Sequence, residues 1–172
     1  MNNQVLYFGY GSNMYIQRLR DRVTSAHKIS NGSLLQHTLR LNKLSAKDGS
    51  TKGNIELSND DSFVLGVIFT INSDQIRILD AFEGVGYGYS KVNVTVINEN
   101  NEEVQCITYI ADVTAIRNNI LPYDWYINFF IQGALQNNFP QDYINFLRQF
   151  QFTTDTDIAR QTEARRIIAL PL

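Results

Sequence analysis

Cysteine, histidine and long single-sign charge runs are scarce in this chain, and each scarcity removes a class of chemistry. The single cysteine, Cys106, excludes an internal disulfide and allows a reducing compartment. It lies in the alternating stretch Val104-Gln105-Cys106-Ile107-Thr108-Tyr109-Ile110 and reads as core. The two histidines, His27 and His37, are too few beside one cysteine to argue for zinc. Neither stands in a recognisable cysteine-protease context, so a catalytic thiol would lack its base. With 15 Lys+Arg against 17 Asp+Glu and no basic run, the electrostatic footprint of a nucleic-acid or anionic-membrane binder is missing. Met1-Asn2-Asn3-Gln4 has no basic n-region and no apolar run reaches transmembrane length, so the expectation is a cytoplasmic protein without signal peptide or membrane partner.

What remains is an ordinary globular composition, 44% hydrophobic and 19% charged over 172 residues, enough for one sizeable core. The strand-like Val5-Leu6-Tyr7-Phe8 runs into Gly9-Tyr10-Gly11-Ser12-Asn13, and Ser12 and Asn13 read as helix caps for Met14 to Arg20. A glycine-bearing loop between strand and helix gathers unpaired amides that suit a carboxylate, a phosphate or an oxyanion. It matches neither the Walker A pattern nor Gly-x-Gly-x-x-Gly, which lowers the case for nucleotide.

Further along, Ser33 to Leu41 reads as a strand, with His37 structural and Arg40 a solvated charge. Residues 42–54 read as a loop that could rim a pocket. Asn54 to Leu57 and the nearly continuous apolar run Phe63 to Ile71 read as strands, the second central, with Gly66 marking a bulge or a close approach. Ser73 caps a helix Asp74 to Phe82 with Ile76, Leu79 and Phe82 on one face. Tyr89 to Val96 and Val104 to Ala111 form a hairpin across the turn chemistry of 98–103. Pro122 opens an apolar helix Tyr123 to Leu135, and Pro140 opens Gln141 to Phe150, an αα-hairpin. These elements describe an α+β domain, residues 1–150, on a largely antiparallel sheet. Residues 151–172 form a solvated or partner-facing C-terminal tail, partly helical.

Glu83 is the carboxylate whose setting is least like a solvated surface charge. It follows Phe82, precedes Gly84-Val85-Gly86-Tyr87-Gly88-Tyr89, and ends a helix where the dipole disfavours a negative charge. In a partly apolar pocket its pKa would rise toward neutrality, as a general acid/base requires. A lone Glu-Gly more often simply ends a helix.

Taken in order, Tyr7-Phe8-Gly9-Tyr10-Gly11-Ser12-Asn13, the strand carrying Gly66-Val67, Leu79-Asp80 leading to Glu83-Gly84-Val85, and Tyr126 before Gln132-Gly133-Ala134 resemble the γ-glutamylcyclotransferases and their AIG2-like and butirosin-cyclotransferase-like relatives. The similarity runs from Leu6 to about Phe150. Gly9 stands where the family commonly has alanine, and 86–89 is richer in glycine than in many members. The resemblance implies a small mixed β-barrel flanked by helices and release of 5-oxoproline from a γ-glutamyl compound, with no metal or cofactor. It also implies that Glu83 is the acid/base, that Tyr7, Phe8, Gly9, Tyr10, Gly11, Ser12 and Asn13 hold the γ-glutamyl group, that Tyr126 contacts it and that Tyr89 lines the pocket. The substrate class stays open among γ-glutamyl amino acids, γ-glutamylamines, glutathione and antibiotic precursors, and so does a homodimer. The competing readings are a non-catalytic small-carboxylate binder on the same fold and an interaction protein using the Tyr123 to Leu135 helix.

Overall fold

The computed structural model describes residues 3–171; Met1 and Asn2, part of the stretch read as lacking a signal peptide, and Leu172, the last residue of the expected tail, lie outside them. Strand β5 (Phe63–Asn72) pairs antiparallel with β1 (Gln4–Gly9) on one side and β2 (His27–Leu35) on the other. β2 continues to β6 (Tyr89–Asn98), which forms a hairpin with β7 (Glu103–Ala111). β7 closes on β1 through the parallel pair Tyr7 and Ile107, giving a barrel of order β1-β5-β2-β6-β7. The near-continuous apolar run of β5 follows from burial on both faces: its inner side chains fill the barrel, and outside, its Leu65 amide donates to the Tyr143 hydroxyl at 3.2 Å. Gly66 marks a close approach, lying under the Phe8 ring.

A separate hairpin, β3 (His37–Leu44) and β4 (Thr51–Leu57), carries much of what was read as loop. The expected single strand Ser33 to Leu41 is split at Gln36, whose φ of 56° reverses the chain with a residue type that gives no turn signal. A bulge between Leu41 and Lys43 lets the hairpin run on, so the true loop is confined to the residues between β3 and β4.

The helices depart more. Ser12–Met14 is a 3₁₀ turn followed by α1 (Ile16–Arg20), and neither begins with a side-chain cap. Ser12 and Asn13 are buried within the turn, so the reading of them as caps for a helix from Met14 is corrected. Ser73 also caps nothing: a 3₁₀ turn leads into α2 (Ile76–Glu83), in which Ile76 and Leu79 are buried while Phe82 is exposed beside Arg22. α3 (Asp124–Gln136) and α4 (Gln141–Arg148) form the expected pair, with Phe150 beyond the end of α4.

The tail expected to be solvated or partner-facing and partly helical carries α5 (Ile158–Ile168), which packs back on the domain. Its Ala164 and Ile167 are buried against Tyr15 and Phe129. The fully buried Asp155 side chain accepts from Arg160 Nε and Nη2, both at 2.7 Å, and from Trp125 Nε1 at 2.8 Å, bolting the segment to α3.

Candidate active site

The loop at the end of β1 owes its position to α3. Gly133 lies so close to the turn that a Cβ there would stand 2.7 Å from Met14 Cβ and 2.9 Å from the Tyr15 amide nitrogen. One helical turn later, Asn137 Nδ2 donates to the Met14 carbonyl at 3.0 Å and to the Gly133 carbonyl at 2.7 Å. On the strand side, Thr108 Oγ1 donates to the Phe8 carbonyl at 2.8 Å. The loop is therefore clamped between helix and barrel, and the head of its turn leaves amides without helical acceptors.

Between loop, barrel end and the β3–β4 hairpin lies a cavity of roughly 310 Å³ including its mouth, lined by Tyr7, Tyr10, Gly11, Ser12, Asn13, Gly53, Glu83, Tyr89, Tyr109 and Tyr126. The five tyrosines divide by how their hydroxyls are used. Tyr10 donates to the Tyr109 carbonyl at 2.6 Å, Tyr89 donates to the Gly53 carbonyl, and Tyr109 donates to Asp80 Oδ1 at 2.9 Å. Tyr126 and Tyr7 instead accept, from the Gly53 amide at 3.0 Å and from Asn13 Nδ2 at 2.9 Å, and no described hydrogen bond uses their O–H protons. Burial pushes the pKa of both upward, so both remain protonated donors at neutral pH.

Glu83 ends α2, and Gly84, at φ 73°, turns the chain away with its amide on the Asp80 carbonyl at 2.9 Å. Glu83 Oε1 receives Asn13 Nδ2 at 2.9 Å and Arg22 Nη1 at 2.8 Å, and Arg22 Nη1 also reaches Asn13 Oδ1 at 3.1 Å. In place of the expected partly apolar setting, the carboxylate sits between the Arg22 guanidinium and the Asn13 amide, whose two hydrogen bonds fix its rotamer. Both hydrogen bonds fall on Oε1, and Oε2 has no protein donor among the described residues.

Of the residues singled out by sequence, Tyr7, Tyr10, Gly11, Ser12, Asn13, Glu83, Tyr89 and Tyr126 converge on this cavity. Phe8 and Gly9 do not line it. The Phe8 ring is wholly buried in the core, and Gly9 is the last paired residue of β1, opposite Val67. Sequence reading missed Gly53, which engages two tyrosines at once, as well as Tyr109 and Arg22. Tyr109 could have been flagged by the alternation of β7; Gly53 looked like loop glycine, and Arg22 carried no local signal. His37 and Arg40 stand apart, Arg40 in a surface pair with Glu56.

The AIG2-like family model matches residues 63–147, from β5 into α4, which takes in Glu83, Tyr89 and Tyr126. A bovine γ-glutamylcyclotransferase is 31% identical over 144 residues, covering 80% of this chain and 74% of the relative. The chain belongs to the γ-glutamylcyclotransferase family. The human γ-glutamylcyclotransferase is 27% identical over 150 residues, covering 85% of this chain and 78% of its own. A solved γ-glutamyl cyclotransferase structure superposes with a TM-score of 0.84 at 23% identity, over 95% of this chain and 99% of that one, so the mixed barrel with flanking helices is the fold of a γ-glutamylcyclotransferase.

Proposed function

We propose that this protein cyclises a γ-glutamyl compound to 5-oxoproline and releases the free amine, with Glu83 as the proton carrier. The observation that carries this reading is the placement of one orientated carboxylate on the wall of a tyrosine-lined cavity, bonded through one oxygen and without a protein donor at the other.

The cavity takes the glutamyl portion, and the amides at the head of the Gly11 to Asn13 turn receive its α-carboxylate. Glu83 Oε2 takes a proton from the α-ammonium, and the freed amine attacks the γ-carbonyl carbon to form a five-membered ring. Negative charge then collects on the γ-oxygen, where the uncommitted O–H of Tyr126 or Tyr7 can donate. The glutamic acid formed at Glu83 returns its proton to the leaving nitrogen as the original C–N bond breaks, and the regenerated carboxylate takes the second proton from the ring nitrogen and passes it to the released amine, which departs as an ammonium. Ring closure within one molecule supplies roughly 7–11 kcal/mol in well-orientated cases, and one aimed oxyanion donor about 3 kcal/mol more. No side-chain nucleophile takes part.

The test is 5-oxoproline release, followed by mass spectrometry, from γ-glutamyl amino acids, γ-glutamylamines and glutathione, run beside Glu83→Gln. Glutamine keeps an oxygen for Asn13 and Arg22 but cannot carry the proton, so turnover is expected to fall by about 10²–10⁴-fold with the fold intact. Undiminished turnover in that variant would remove Glu83 from the mechanism.

A further inference from the structure

In the cyclisation reading above, Glu83 places the reacting bond at the boundary between two spaces. Ser12, Glu83, Tyr89 and Tyr126 line both the inner cavity and an outer cleft of about 1170 Å³ that opens to solvent. With the glutamyl portion inside, whatever leaves must occupy the cleft.

That cleft has an unbalanced charge. Its cations are Arg18, Arg22, Lys43, Lys47 and Lys52, and its acids are Asp21, Asp48 and Glu83. Every acid is already matched: Glu83 to Arg22 at 2.8 Å, Asp48 to Lys52 at 2.7 Å, and Asp21 to Arg166 at 2.8 Å from outside the cleft. Arg18, Lys43 and Lys47 therefore have no carboxylate partner among the described residues, in a chain whose net charge is −2.

Two of these three cations are held in place rather than left in water. The Arg18 guanidinium lies 4.2 Å from the centroid of the Phe129 ring, and its Nε is buried without a hydrogen-bond partner. Lys43, at 8% exposure, puts its ammonium 4.7 Å from the centroid of the Tyr89 ring. The bulge beside it directs Lys43 into the cleft, and Gly88, at φ +135°, leaves room for it: a Cβ there would fall 2.8 Å from Lys43 Cε. Burying cations without counter-ions is unfavourable, and burial accordingly pulls the pKa of Lys43 down and that of Arg18 down to about 9. An incoming anion would relieve both.

We propose that Arg18, Lys43 and Lys47 form a leaving-group subsite that selects γ-glutamyl substrates whose departing amine bears carboxylates, dicarboxylates above monocarboxylates, and rejects amines bearing a second positive charge. This rests on the cyclisation reading above and adds the substrate class to it.

The experiment compares kcat/KM for γ-glutamyl-glutamate, γ-glutamyl-alanine and a γ-glutamyl-diaminobutane. It is paired with calorimetric binding of the first two to the Glu83→Gln protein. Wild type is expected to prefer them in that order, with each additional charge-assisted hydrogen bond to a carboxylate worth about ten- to a hundredfold. Lys43→Met should collapse the glutamate-to-alanine ratio, through KM rather than kcat. Lys47→Glu, at an exposed position where folding is not at stake, should move the ratio the same way by a smaller factor. Equal kcat/KM for all three substrates, or preference for the diamine, would overturn the subsite, as would a ratio unmoved in both variants. If no substrate yields product, the cyclisation reading fails by itself. Tighter binding of γ-glutamyl-glutamate than γ-glutamyl-alanine, weakened by Lys43→Met, would then still support the subsite, and equal binding would overturn it.

Discussion

Gly133→Ala separates the energetics of the fold from those of the site, because the same methyl group acts on both with different magnitudes. Alanine in a helix interior is favoured over glycine by about 1 kcal/mol. Against this, the new Cβ would stand 2.7 Å from Met14 Cβ, where ordinary van der Waals contact begins at 3.4 Å, so the turn must move by about 0.7 Å. Overpacking of this kind costs roughly 1–3 kcal/mol, leaving a net destabilisation of about 0–2 kcal/mol once the helix gain is subtracted. The turn that moves carries Ser12, Asn13 and Met14, and Asn13 holds both Glu83 and Tyr7. A displacement near 1 Å in a positioned group can cost about 10²-fold in rate, so activity should fall by roughly 10–100-fold while stability falls by no more than about 2 kcal/mol. Thermal unfolding by circular dichroism and kcat/KM for 5-oxoproline release read the two quantities on one preparation. Wild-type kcat/KM in Gly133→Ala would refute the claim that α3 sets the geometry of the loop; a collapse of Tm with proportionate loss of activity would show that the loop and the core yield together.

Other expectations are simpler. Tyr126→Phe removes the uncommitted O–H and leaves the Gly53 amide without its partner at 3.0 Å, so kcat should drop by about 10²–10³-fold if this hydroxyl faces the oxyanion, measured by initial rates at saturating substrate. The two bonds from Arg160 hold the Asp155 pKa well below its ordinary 3.8 against the opposing effect of burial, so the α5 anchor contributes fully above that value and is lost as pH falls through the depressed folded value. Trp125 fluorescence followed through an acid titration should report that release, and Asp155→Asn should lower Tm at neutral pH while flattening the acid limb. Burial raises the Cys106 thiol to about 11, so a thiol reagent at pH 8 should leave the native protein unmodified and label it only on unfolding.

Much of the architecture could be read in advance because periodicity reports burial directly. The run Phe63 to Ile71 belongs to the strand covered on both faces, and the alternation after Tyr89 belongs to a half-exposed hairpin. Short elements resisted for an equally physical reason. Gln36 turns the chain at φ 56° because two strands diverge there, not because glutamine favours it. The five residues of α1 are too few for propensity to govern, and packing against α3 decides the conformation of 12–20. The tail carried no strong hydrophobic stripe, and what anchors α5 is a buried carboxylate whose partners are 30 residues and five residues away.

The site divides along the same line. Sequence alone determined that the strand Val5 to Phe8 ends in a glycine-bearing turn and that a helix ends at Glu83-Gly84, because each is a contiguous segment whose backbone chemistry is local. Tertiary structure decided which of those side chains face the cavity, sending Phe8 into the core and bringing Tyr7 and Asn13 to Glu83. It also brought in Gly53, Tyr109 and Arg22, and set Arg18 and Lys43 unpaired along the outer cleft. Barrel closure by β7 on β1 and the fold-back of the β3–β4 hairpin create these neighbours, and charge balance in a pocket is a property of neighbours in space, to which order along the chain is blind.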